Sequence, residues 1–177
     1  MISIVIMIVS LILDGILSNY LPYLVNDLSL FTPLFTIISI FIIYPLYRKK
    51  EKQYFINIFI LGMVYDLLYT NLLFYNGVLF IIIGIISRFI IKNFELSYIK
   101  LIIYTILIVT LYESLTALLL TIFNMVPITP YSLLYKITHS LIINILYMEL
   151  LYIILKIIPK KYKEISINWH TYFFLYI

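Results

Sequence analysis

Arg48-Lys49-Lys50-Glu51-Lys52-Gln53, then YFINIFILGMVYDLLYTNLLFYNGVLFIIIGIISRFII over residues 54–91, then Lys92, is the stretch on which the fold turns. Read as one long span with an irregular centre, it would put its two basic flanks on opposite sides of a membrane. Cytoplasmic loops are the ones enriched in Lys and Arg, so that arrangement runs against the charge rule. Tyr69-Thr70-Asn71 and Asn76-Gly77 also gather polar and turn-forming residues at the centre. The stretch therefore reads as two short helices, about 54–69 and 76–91, with a return to water between them.

Outward from there the same charge pattern continues. Arg48, Lys49, Lys50 and Lys52 mark one break, Lys92 and Lys100 flank another, and Lys156, Lys160, Lys161 and Lys163 close the last apolar stretch. The breaks between them, at Asn26-Asp27, Thr70–Asn76 and Met125–Pro130, hold no Lys or Arg. This alternation predicts an all-α, polytopic integral membrane protein with six transmembrane helices and both termini cytoplasmic. The spans run over about 1–22, 28–47, 54–69, 76–91, 100–124 and 132–156, most of them near the ~20 residues that cross a bilayer. Residues 1–163 form a single domain by this reading, and 164–177, with Trp169, Tyr172, Phe173 and Phe174, an interfacial tail on the cytoplasmic side. No internal repeat or second domain is visible.

The composition agrees, with 64% hydrophobic and 11% charged residues and a mean hydropathy of +1.12. A soluble fold would lack the polar surface to cover so much apolar area, whereas lipid solvates it. The net charge of +4 comes from the loops and speaks of topology and contact with anionic membrane lipid, not of nucleic acid. With no cysteine, disulfides, thiolate catalysis and Cys-ligated metals are excluded. Met1–Leu13 lacks the basic start and small-residue cleavage site of a signal peptide, so it reads as an uncleaved first span. Tyr20, Tyr23, Tyr44, Tyr47, Tyr54, Tyr69, Tyr75, Tyr98, Tyr131 and Tyr162 fall near span ends, as an aromatic belt would. Pro33 is expected within the first two turns of the second span, and Pro45 in its last.

Ionisable groups inside spans are costly and are expected to face the bundle or water with a partner. Asp14, Asp66, Arg88, Glu113, Lys136, His139 and Glu149 qualify. Counting along the helices puts Asp66 and Lys136 at one level, Glu113 and Asn144 near mid-membrane, and Arg88 and Glu149 toward the basic side. Gly62 and Asp66, four residues apart, share a helix face where a second backbone can approach. Asp66 reads as a helix–helix contact in preference to a proton or cation site. Glu113 is expected to pack through Asn144 or His139 in preference to transport chemistry. Arg88 and Lys136 are expected to snorkel to the interfaces. His139 reads as a hydrogen-bonding core residue and not a metal ligand, since no ligand cluster accompanies it. Asp14 is either uncharged or water-facing.

HExxH, GxSxG, phosphate-loop and dinucleotide signatures are all missing, and no catalytic, cofactor or metal residue is assigned. The segment Gly62-Met63-Val64-Tyr65-Asp66-Leu67-Leu68-Tyr69-Thr70-Asn71-Leu72-Leu73, followed by Asn76-Gly77 and an apolar span, resembles the MreD family of rod-shape-determining proteins. In that family a G-x-x-x-D-x-x-x-[ST] segment precedes a short outer turn and another helix. Glu113 in Leu111–Ser114, Asn144 in Leu141–Leu146, the span number and the basic end are also similar. This chain has Phe74 near the place where family members often carry a turn glycine. The resemblance implies an S-component-like bundle in the bacterial plasma membrane and a non-enzymatic part in the cell-elongation complex. Implied partners are MreC, MreB filaments and the RodA–transpeptidase synthase. The runner-up is the substrate-binding S component of an energy-coupling-factor vitamin transporter, whose alanine-rich docking patch has no counterpart here, as Ala117 is the sole alanine. A small proton-coupled transporter using Asp66 and Glu113 is a third reading.

Overall fold

The computed structural model describes residues 2–25, 32–70, 72–93, 97–123 and 129–157, with side chains at 21–25 left aside. Six α-helices account for most of these residues: α1 Ile2–Val25, α2 Phe35–Ile43, α3 Glu51–Tyr65, α4 Tyr75–Asn93, α5 Tyr98–Ile122 and α6 Pro130–Ile157. A 3-10 turn, Tyr44–Tyr47, extends α2, and a π turn, Asp66–Thr70, extends α3. There is no strand among the described residues.

Around an apolar core that also holds several polar residues, the exterior is largely apolar, unlike that of a water-soluble protein. Val5, Ile8, Val9, Ile12 and Ile16 of α1 are exposed, while Ser10 and Asp14 on the same helix are buried. Ile85 and Phe89 on α4, Ile103 and Leu118 on α5, and Ile142 and Leu146 on α6 are likewise exposed. An apolar exterior on this scale is favourable only against lipid. Ile2–Tyr20, α4, α5 and α6 are each long and apolar enough to cross a membrane. This is an α-helical membrane protein.

The short helix α2 forms the centre. Every residue from Phe35 to Ile43 is buried, and α2 touches α1, α4, α5 and α6. Such a helix, apolar but for Thr36 and Ser39, is enclosed by its neighbours. The expected span from 28 begins, among the described residues, at Phe35; Pro33 precedes the helix instead of lying within it. A proline discourages helical geometry in the residue before it, so the helix starts after this point.

Between residues 54 and 91 the chain breaks into two helices, and α3 and α4 pack closely together. Three interfacial tyrosines of the sequence reading are corrected: Tyr44, Tyr47 and Tyr54 are buried. Tyr54 donates to the Ile40 carbonyl at 3.0 Å, and Tyr47 receives the Asn57 amide at 2.9 Å. Their hydroxyls find partners inside, which makes burial tolerable. Tyr20, Tyr69, Tyr98 and Tyr131 are exposed. Tyr162 and the tail 164–177 lie outside the described residues.

Candidate functional site

Gly62 and Asp66 bring α3 onto the start of α4. A Cβ built on Gly62 would fall 2.6 Å from Gly77 Cα and 2.7 Å from the Asn76 carbonyl oxygen. Only glycine permits that approach. It brings the first N–H groups of α4, which have no partner within their own helix, to Asp66. The Asn76 N–H lies 3.0 Å from both carboxylate oxygens, the Asn76 side-chain amide donates at 2.8 Å, and the Gly77 N–H lies at 3.4 Å. Thr70 donates to Asp66 Oδ1 at 2.9 Å from within the π turn. Tyr112 of α5 donates to Asn76 Oδ1 at 2.7 Å, tying a third helix to the junction. Asp66 is thus an N-cap supplied by a neighbouring helix, and it also meets the positive end of the α4 dipole. The turn leading in holds Phe74 at φ 69°, in left-handed geometry. Asn71 lies outside the described residues.

Asp14 repeats this solution on the first helix. Leu34, at the start of α2, has no capping side chain. The Phe35 N–H reaches Asp14 Oδ1 at 2.7 Å and the Thr36 N–H reaches Oδ2 at 2.9 Å. Asn144 of α6 accepts from the Leu34 N–H at 2.8 Å and donates to the carbonyls of Thr32 and Ser140 at 3.0 and 2.9 Å. Asp14 and Asn144 together satisfy three successive backbone N–H groups. Asp14 is accordingly buried, not water-facing.

Glu113 has a different partner from the two expected. Its Oε2 lies 2.8 Å from Lys136 Nζ. Asn144 is engaged at the start of α2, and half-buried His139 sets its Nδ1 2.8 Å from the Tyr135 carbonyl oxygen of its own helix. Lys136 therefore serves Glu113 and not Asp66, and it is an ion-pair partner before it is a snorkelling residue.

Arg88 also has an ion-pair partner. Its Nη2 lies 2.9 Å from Glu51 Oε2, while Lys92 and the Tyr44 hydroxyl reach Glu51 Oε1 at 2.5 and 3.1 Å. The Lys92 hydrogen bond, with smaller help from Tyr44 and from Arg88 and Lys92 charge, holds the Glu51 carboxyl below its ordinary value despite opposing desolvation. Glu149 accepts from the Tyr98 hydroxyl at 2.6 Å, linking α6 to the start of α5.

The arrangement fixes helix ends and helix pairs. Two of the three innermost carboxylates hold backbone N–H groups and the third holds an ammonium. Among the described residues, no three of His, Cys, Asp and Glu are grouped to hold a metal ion. No family model, curated protein or solved structure matches the chain.

Proposed function

We propose that this chain is a non-enzymatic membrane scaffold of the MreD kind, with six spans and both termini in the cytoplasm, acting in the bacterial cell-elongation complex beside MreC, MreB and the RodA–transpeptidase synthase. The observation that carries the reading is the use made of the residues behind the resemblance. Gly62, Asp66, Thr70, Asn76 and Gly77 join α3 to α4 through backbone contact and capping. A conformation-defining junction is what a scaffold needs from such a motif.

The charge pattern supports the topology. Glu51, Arg88 and Lys92 tie α3 to α4 at the end that bears Arg48–Lys52, which the charge rule places inside. The test is affinity capture of the full chain from mild detergent, with mass spectrometry of what accompanies it. Recovery of an MreC-type bitopic protein and the synthase is expected. Recovery of transporter ATPases in their place would move the assignment to an S component.

A further inference from the structure

Beside the Glu113–Lys136 pair, α5 and α6 leave a cleft of about 200 Å³ whose chemistry the capping network does not use. Glu113 contributes its floor, with only 2% of its side chain exposed. Oε2 meets Lys136, but Oε1 is buried and has no hydrogen-bond partner among the described residues. A buried carboxylate oxygen left empty is costly, and native structures seldom leave one without a reason. Lys136, whose side chain is 38% exposed, has further N–H donors beyond the one directed at Glu113. Ser132 and Tyr135 line the cleft on the α6 side, and Leu120 and Leu133 form apolar walls.

These features select a ligand by charge. The pair is neutral as a unit, so a ligand with net charge would leave an uncompensated ion in a low-dielectric site. The empty Oε1 calls for a donor, and the spare Lys136 N–H groups call for an acceptor close by. We propose that this cleft binds a small zwitterion of the phosphoethanolamine type, its ammonium on Glu113 Oε1 and its anionic group on Lys136. Such a group occurs as a lipid headgroup and as a free solute. The site does not depend on the scaffold reading.

The full chain, purified in detergent, is titrated with glycerophosphoethanolamine, a phosphodiester that is a neutral zwitterion, while its thermal unfolding is followed. A saturable upward shift is expected. The double variant Glu113→Gln with Lys136→Gln removes both charges together and strands neither, so it keeps the fold. Its affinity should drop by about tenfold or more, as for loss of charge-assisted hydrogen bonds. Native mass spectrometry from mixed phosphatidylethanolamine and phosphatidylglycerol nanodiscs separates the sources. Selective retention of phosphatidylethanolamine by the parent and not by the double variant identifies the lipid. Binding of the soluble compound without such retention identifies the solute. Three results would overturn the proposal: no binding in either arm, equal binding by the double variant, or equal binding of glycerol in place of the zwitterion.

Discussion

Gly62 and Gly77 meet across α3 and α4 with no side chain between them, and a Cβ on Gly62 would stand 2.6 Å from Gly77 Cα. Because the obstacle is backbone, it cannot rotate aside. Gly62→Ala should destabilise the protein in detergent by about 1–3 kcal/mol, the usual range for overpacking. Gly77→Ala should be milder, since its Cβ would meet the Phe59 ring at 3.3 Å, and a ring tip can give way. Thermal unfolding of both variants, side by side, reads the difference. Equal losses would mean the close approach does not govern the junction.

Asp66→Leu removes the cap from α4 and leaves the Asn76 and Gly77 N–H groups buried without partners, a loss of about 1–3 kcal/mol. Asp66→Asn retains a carbonyl acceptor and should lose less. Asp14→Leu and Asp14→Asn should follow the same order at the start of α2. Membrane abundance and unfolding temperature are the readouts, and leucine variants with parental values would remove the capping roles.

How much of this was legible in the sequence follows from what each partner is made of. The break between α3 and α4, and the shared face of Gly62 and Asp66, depend on side-chain identity and spacing, so they could be read directly. Asp14 could not be placed, because its partners are backbone N–H groups 21 and 22 residues away. Every residue but proline carries that group, so the sequence leaves no mark of the pairing. Depth along the helix misplaced the partner of Glu113 for another reason. Lys136 has a long side chain, and its ammonium can stand well away from its own Cα level. Tyr54 looked interfacial by position, yet its hydroxyl donates inward to the Ile40 carbonyl.

Lys136→Met should be more damaging than the double variant Glu113→Gln with Lys136→Gln. The single change leaves a carboxylate buried and unpaired, which costs about 3–5 kcal/mol, whereas the double change leaves no charge behind. Glu113→Gln alone should fall between them. Unfolding temperatures in one detergent test the order, and a double variant worse than Lys136→Met would show that the charges do not act as a pair.

Phe74 occupies left-handed geometry at φ 69°. A β-branched residue tolerates this region worst and glycine best. Phe74→Val should cost about 1 kcal/mol or more relative to Phe74→Gly. Chemical unfolding of the two variants compares them; indistinguishable values would place the turn elsewhere in backbone space.

Glu51 titrates below its ordinary value of 4.5. A lowered carboxyl stabilises the fold fully above its ordinary value, and that contribution is lost as pH falls through the lowered one. The parent should therefore lose stability below about pH 4.5, and Glu51→Gln should lose less of it on the same descent. Unfolding temperature against pH measures both, and parallel curves would show that the Lys92 and Arg88 contacts contribute nothing.

Cell shape on depletion of the chain in a rod-shaped host tests the scaffold reading most directly, with re-supply of the parent, Asp66→Asn or Asp66→Leu at matched membrane abundance. Depleted cells should become wide and round, the parent should restore rods, and Asp66→Leu should restore them less well than Asp66→Asn. Rods that persist through depletion, or growth that returns on adding a vitamin, would contradict it.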